Sequence, residues 1–521
     1  MANAKSPLMR ALQKAYHKAL SAQKKPVNSK NNPFADSRRK FIKTTASATA
    51  LTALGGSAFL ASCTKKNPPV IAIVGAGMAG LYAGYILRNA GYTAQIYEAS
   101  DRTGGRIFTA RNVMGVGTHT ELGAEFIDST HADILRLADD FNLSLLDTQT
   151  VEESGMEPAR YFIEGKLVSD ADILAAFTPF VSRIEQDIEA FSDDFNYQNS
   201  TEHDQRLDNL SLDAYLQEIG ISGVLYTLID VAYTTEYGLD IAEQSCINFL
   251  MLINPRMEKR FKYSGYSDER YKIVSGNQSL TDSLADLLEG QIFTDKSLTA
   301  ISQQNEGDKV HLRFTSAGGG VQHVVADYVI ITIPFTILRQ VDIQYPLSAA
   351  KKKAIQELGY GQNAKFFMGF NKKVWREQGA TGFMFSDTIV QNAWDHTQLQ
   401  TGSGAGFTVF TGGVASKEMQ ARNNEAFANL CMPVLNAVYP GMADTANQVY
   451  SRFYWPDYKF SKASYVCFKP GQYTTLEGAQ SAREGRLFFA GEHCSFEFQG
   501  FMNGAAETGR LAAEAILKAI A

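Results

Sequence analysis

Cysteine is scarce in this chain: five in 521 residues, with no Cys-x-x-Cys pair and no Cys/His grouping at metal-ligand spacing. The eight histidines are scattered singly. These gaps exclude a disulfide-built scaffold, and no metal centre is expected. Net basic charge is missing from the body of the chain. The net charge is −6, but residues 1–63 carry eleven Lys or Arg against one acid, leaving −16 for the remainder. An acidic body excludes nucleic-acid binding, which needs a basic face for phosphates. Long apolar runs are missing too. The stretch 44–62 is only weakly apolar and holds Gly55-Gly56 with several Thr and Ser, so it is poorly suited to a permanent membrane span.

That stretch follows Ser37-Arg38-Arg39-Lys40-Phe41-Ile42-Lys43, and together they resemble a bacterial twin-arginine export signal. An N-terminal membrane anchor is the alternative. Leu60-Ala61-Ser62-Cys63 resembles a lipoprotein box, which would leave Cys63 lipidated; ordinary peptidase cleavage nearby is equally open. The expected location is therefore outside the cytoplasm: periplasmic, secreted or lipid-anchored, with the export machinery as a partner. Ahead of the signal, Leu8, Leu12, Tyr16 and Leu20 recur every four residues among Arg10, Lys14 and Lys18. This spacing predicts a short basic amphipathic helix. It could touch an anionic membrane surface, but a solvated extension is expected.

What the chain does have is ordinary hydrophobic content, 45%, and too much length for one simple core, so two interleaved domains are expected. Residues 70–74 read as a buried strand, 78–90 as a helix stopped at Gly91, and 93–98 as a second strand, a βαβ start. Between the first strand and helix stand Gly75, Gly77 and Gly80. In a dinucleotide fingerprint these give the tight turn, the close approach to a pyrophosphate, and close helix packing. The helix N-terminus would aim its N–H groups at the phosphates. Glu98, 23 residues after Gly75, sits where a carboxylate can accept ribose hydroxyls. Asp101-Arg102-Thr103-Gly104-Gly105-Arg106 adds a second glycine pair flanked by guanidinium groups. Near the other end, Leu487-Phe488-Phe489-Ala490-Gly491-Glu492-His493 precedes Gly500-Phe501-Met502-Asn503-Gly504 and a small-residue helix over 504–520. From 131 to about 254 the pattern is mostly helical. Strand and helix character returns over 273–333, and a new strand alternates over 362–370.

Taken with Glu121-Leu122-Gly123-Ala124-Glu125-Phe126, these segments resemble the flavin amine oxidases, which include monoamine oxidases, polyamine oxidases, L-amino acid oxidases and tryptophan 2-monooxygenases. The resemblance runs from Pro69 onward. It implies an α/β fold, an FAD-binding Rossmann-like domain with an interleaved α+β substrate domain. The FAD pieces would be 68–130, 265–335 and 481–521; the substrate domain would be a helical part, 131–264, and a sheet part, 336–480. Cofactor contacts would come from Gly75, Gly77, Met78, Ala79 and Gly80 in the first turn, and from Glu98, Ala99, Arg102, Gly105 and Arg106 after the second strand. Gly123, Ala124, Glu125 and Phe126 would follow, with Leu298, then Gly491, Glu492, Phe501 and Met502. Glu492 should hold the ribityl or ribose–phosphate region, and the Met502 N–H should face the flavin N1–C2=O edge, where the last helix's dipole favours negative charge.

The resemblance also implies roles near the reacting atoms. Lys365, in Ala364-Lys365-Phe366-Phe367-Met368-Gly369-Phe370, stands where a lysine bonds through water to flavin N5 and assists reoxidation. Without the resemblance it would read as an edge charge. Tyr465 and Phe501 match two aromatic walls that confine the substrate nitrogen; core packing is the competing reading for either ring. Ser464 stands where monoamine oxidases carry the cysteine that bonds flavin, so the FAD is expected to be non-covalent. Cys467 and Cys494, both close to the flavin segments, would be the pair if any disulfide forms.

The implied activity is FAD-dependent oxidation of an L-amino acid, with O2 and water, to a 2-oxo acid, ammonia and hydrogen peroxide. One position departs from the venom-type pattern. Where those L-amino acid oxidases carry a carboxylate-binding arginine three residues after the motif glycine, this chain has Phe126. The alternatives are a tryptophan 2-monooxygenase, a monoamine or polyamine oxidase without carboxylate recognition, or a non-catalytic exported flavoprotein. A homodimer is left open.

Overall fold

The computed structural model describes residues 6–23, 68–192, 194–253, 267–402 and 404–521; the arginine pair, the apolar stretch and the Cys63 box lie outside them. Two layers built around separate sheets position the site. The first is a five-stranded, all-parallel sheet in the order Leu487–Phe489, Tyr328–Ile331, Ile71–Val74 (β1), Ala94–Tyr97 (β2), Ile292–Phe293. β1 is Ile-Ala-Ile-Val, buried at every position, as expected of a strand covered on both faces. The helix Met78–Asn89 (α2) packs on this sheet, and the chain turns at Gly91. The last helix, Met502–Ile520 (α3), lies against α2. Gly509 rests on the Ala79 backbone, where any Cβ would run into the Ala79 carbonyl. That close approach brings the N-terminal turns of both helices to one end of the sheet.

The second sheet is seven-stranded and mixed, in the order Ala446–Tyr454, Ala364–Phe370, Ala405–Thr411, Asn392–Asp395, Met384–Ser386, Arg160–Ile163, Lys166–Val168. The last two strands interrupt the stretch expected to be mostly helical. Ala364–Phe370 is an interior strand, buried throughout, so Lys365 is not the edge charge its isolation in sequence suggested. A four-stranded sheet, Val321–Ala326, Val310–Thr315, Ser297–Ser302 and Asp342–Gln344, flanks the first. Helices Asp170–Phe177, Val181–Glu189, Gly223–Tyr237 and Ile247–Ile253 build a helical layer.

Into that layer goes the N-terminal helix, Pro7–Gln23 (α1), which corrects the expectation of a solvated extension. Leu8, Met9, Leu12 and Tyr16 are each 0% exposed, packed among the four helices just named. Gln13 donates to the Leu252 carbonyl at 2.5 Å and the Tyr16 hydroxyl to Glu185 at 2.6 Å. Lys14 and Lys18 stay exposed. Burying four such side chains is worth roughly 6–12 kcal/mol as an upper estimate, far more than a short helix gains in water.

The four described cysteines are all buried. Cys467 and Cys494 do not form the suggested bond: Cys494 donates toward the Gln480 carbonyl, and Asn248 donates to the Cys467 sulfur.

Candidate active site

A cavity of about 270 Å³ runs from the first glycine turn to an aromatic compartment beside the second sheet. Its near end is built from residues just past the C-terminal ends of four parallel strands: Gly75, Glu98, Thr332 and Gly491. Open parallel sheets bind ligands there. Gly75 has φ +104°, and a Cβ on it would lie 2.5 Å from the Thr332 hydroxyl, so the turn admits no side chain. Glu98 is pinned, accepting from the Ala76 N–H at 2.8 Å and from the Ser100 N–H and hydroxyl. α2 and α3 both start without a side-chain cap, and Met78, Ala79 and Met502 line the cavity. Two uncapped helix starts facing one cavity suit a pyrophosphate and an electron-rich ring edge. The residues present therefore fit FAD.

Arg106 ties front to back. It donates to Glu492 at 2.7 Å and to the Ser464 carbonyl at 2.6 Å. Glu492 also accepts from the Gly500 N–H at 2.9 Å. Burial pushes the Glu492 carboxyl up, but Arg106 and the Val466 N–H hold it below the usual range. Most residues expected to touch the cofactor line this cavity: Gly77, Ala99, Gly105, Gly123, Ala124, Glu125 and Phe126 besides those named. Three do not. Gly80 sits behind the turn, against the Gly75 carbonyl. The Arg102 guanidinium folds back onto the Thr103 and Gly105 carbonyls and over the Phe108 ring, 3.8 Å away. Leu298 belongs to the flanking four-stranded sheet.

At the middle of the cavity, Glu125 receives two ammonium groups: Lys365 at 2.7 Å and Lys272 at 2.8 Å, with the Trp394 indole N–H at 2.9 Å. Lys365 also donates to the Glu121 and Gly123 carbonyls at 2.9 and 3.0 Å, so all three of its protons are engaged. Burial raises the Glu125 carboxyl, yet the two lysines outweigh it and hold it well below the usual range. Glu121 next door is pushed by burial up to about 7, even though the Asn277 N–H and Thr109 hydroxyl donate to it. A carboxylate between two ammoniums leaves one net positive charge buried under the site.

The far compartment is walled by Phe126, Phe383, Trp394, Phe410, Tyr465 and Phe501. Tyr465 donates its hydroxyl to the Glu236 carbonyl at 2.7 Å. Phe501 meets His131 edge-on, with centroids 4.9 Å apart, and His131 pairs with Asp128 at 3.2 Å. Both rings are thus fixed from behind, and both face the cavity. The Glu236 and Glu269 residues line it as well. Burial lifts Glu269 to about 8, opposed by Arg10 of α1 at 3.0 Å. Ser464 presents a hydroxyl, bonded to Asn363, and no thiol for a flavin linkage.

Sequence reasoning missed Lys272, Trp394, Glu236 and Glu269, as well as Ser6 of the N-terminal segment, which lines the cavity. None sits in a motif; each arrives from a distant stretch of chain.

The comparisons agree with this geometry. The family model for flavin containing amine oxidoreductases matches residues 78–517. An L-amino-acid oxidase of Demansia vestigiata is 24% identical over 475 residues, covering 87% of this chain and 88% of that one. One from Daboia russelii is 25% identical, covering 87% and 90%. Among solved structures, cyclohexylamine oxidase from Brevibacterium oxydans IH-35A superposes with a TM-score of 0.75 at 19% identity, covering 87% of this chain and all of that one. A family match running from the first turn of α2 into the last turns of α3 takes in both halves of the cavity, and the chain belongs to the flavin containing amine oxidoreductases, FAD-dependent enzymes that oxidise CH–NH2 groups.

Proposed function

We propose that this amine oxidase acts on L-amino acids, yielding a 2-oxo acid, ammonia and hydrogen peroxide, with FAD held non-covalently. The observation that carries the reading is the relation to L-amino-acid oxidases along nearly the whole of both chains. When bound, FAD supplies the acceptor for the hydride leaving the amine-bearing carbon and the donor that returns electrons to O2. The chain's residues do the rest. Tyr465 and Phe501, held by Glu236 and His131, make a rigid apolar slot that disfavours an ammonium and so presents the neutral amine, whose C–H is the better hydride donor. The Lys365–Glu125–Lys272 group puts net positive charge beside the cavity, where it would favour the negative charge that O2 gains on reduction.

A specific observation favours a second reading, an amine oxidase without carboxylate recognition. Phe126 occupies the venom-type arginine position, tilted against Phe383 and Trp394, and among the described residues the two cations lining the cavity, Arg106 and Lys365, already hold Glu492 and Glu125. Anaerobic flavin reduction with phenylalanine against phenethylamine separates the two. Faster bleaching by the amino acid supports the proposal; preference for the bare amine overturns it. Product analysis adds the monooxygenase outcome, an amide in place of the keto acid.

A further inference from the structure

The arginine pair and the Cys63 box stand behind α1 in the chain, not ahead of the folded protein. A cleaved leader is dispensable to the mature fold, and α1 is not built that way. Leu8, Met9, Leu12 and Tyr16 are buried among four helices of the substrate layer with Leu20 part-buried beside them, and Gln13, itself 2% exposed, spends its amide on the Leu252 carbonyl. Tyr16 reaches Glu185. At the inner end, Ser6 is part of the cavity wall, and Arg10 supplies the cation for Glu269, a buried carboxylate on the same wall. Removing α1 would open an apolar groove to water and take the Arg10 guanidinium away from Glu269.

We infer that residues 6–23 are a permanent part of the working enzyme, docked in the groove between Asp170–Phe177, Val181–Glu189, Gly223–Tyr237 and Ile247–Ile253. The twin-arginine segment then lies in an internal connection. A cut at the Cys63 box gives a two-piece enzyme held together by α1, rather than a shortened one. The helix's chemistry fits a retained ligand of this groove: an apolar stripe inward, Lys14 and Lys18 in water, and one arginine reaching an acid. The inference concerns assembly and does not depend on which substrate is oxidised.

The test uses the full-length FAD-loaded protein with a site-specific protease sequence inserted between Lys30 and Asn31. After cutting, size-exclusion chromatography and mass spectrometry follow the 1–30 fragment, while melting temperature and flavin absorbance follow the body. The expected result is co-elution of the fragment, an unchanged melting temperature and retained colour. Separation of the fragment from the body overturns the inference. A second variant, Leu12→Asp, puts a charge in the groove; it should release the fragment after cutting where the parent keeps it, and tight retention by this variant counts against the docking described. Protein isolated from the exporting cell should contain peptides from 6–23 whether or not Cys63 starts a new chain. A fully active preparation without them contradicts it.

Discussion

Replacing Glu125 with glutamine removes the one carboxylate shared by two buried ammonium groups. The side chains of Lys365, Lys272 and Glu125 are 6%, 5% and 3% exposed. An amide would leave two like charges facing each other across a neutral group, with a water shell unable to form. Breaking one buried pair by removing a partner costs about 3–5 kcal/mol, and here one substitution breaks two, so Glu125→Gln should lie at or above the top of that range. Lys272→Met should cost less, about 1.5–3 kcal/mol, because Glu125 keeps Lys365 and the Trp394 N–H. The double variant loses the carboxylate and one of the repelling cations together, so it should be more stable than the sum of the two losses implies, by about 1–3 kcal/mol. Urea denaturation of wild type, both single variants and the double at pH 7 closes the cycle. Costs additive within about 0.5 kcal/mol, or a Glu125→Gln loss below about 1 kcal/mol, would refute the reasoning.

Lys365→Met should slow reoxidation of the reduced enzyme by O2 about 10²-fold, with a much smaller effect on anaerobic reduction; stopped-flow on the two half-reactions checks it. Glu121 keeps its proton in the folded chain up to about pH 7, whereas unfolded it ionises near 4.3, so the folded state binds more protons in between and stability falls as pH rises across that window, by about 4 kcal/mol. Glu121→Gln should flatten that fall, as read from melting temperatures between pH 4.5 and 8. Gly75→Ala forces a methyl toward the Thr332 hydroxyl at a φ of +104°, and the purified variant should hold less FAD per chain by absorbance. Leu12→Ala in α1 should cost about 2–5 kcal/mol, measured by chemical denaturation; a cost near zero would mean that α1 is not the core helix described.

The nucleotide end of the cavity was legible in the chain because its signals are local. A strand, a glycine turn, a helix and an acid at the next strand's end are read from residues 70–98 alone, and the strands and helix stand there. The substrate end was not legible, because its groups meet only through the fold. Lys272 lies between Tyr271 and Ile273 in a short strand, where alternation says solvent; it is buried because Glu125, far off in sequence, waits for it. α1 shows its stripe plainly, yet periodicity says which face is apolar and not what covers it. That cover comes from four helices between residues 170 and 253. Lys365 shows the same limit: its strand reads correctly, but only the sheet order makes that strand an interior one.

The proposed function puts an amino acid in the Tyr465–Phe501 slot, giving electrons to an FAD held between the two ends of this chain. Adding an L-amino acid to the yellow protein without oxygen should bleach the flavin band, and admitting air should restore it with one hydrogen peroxide formed per turnover. A flavin band that no L-amino acid bleaches, while a simple amine does, would contradict the account.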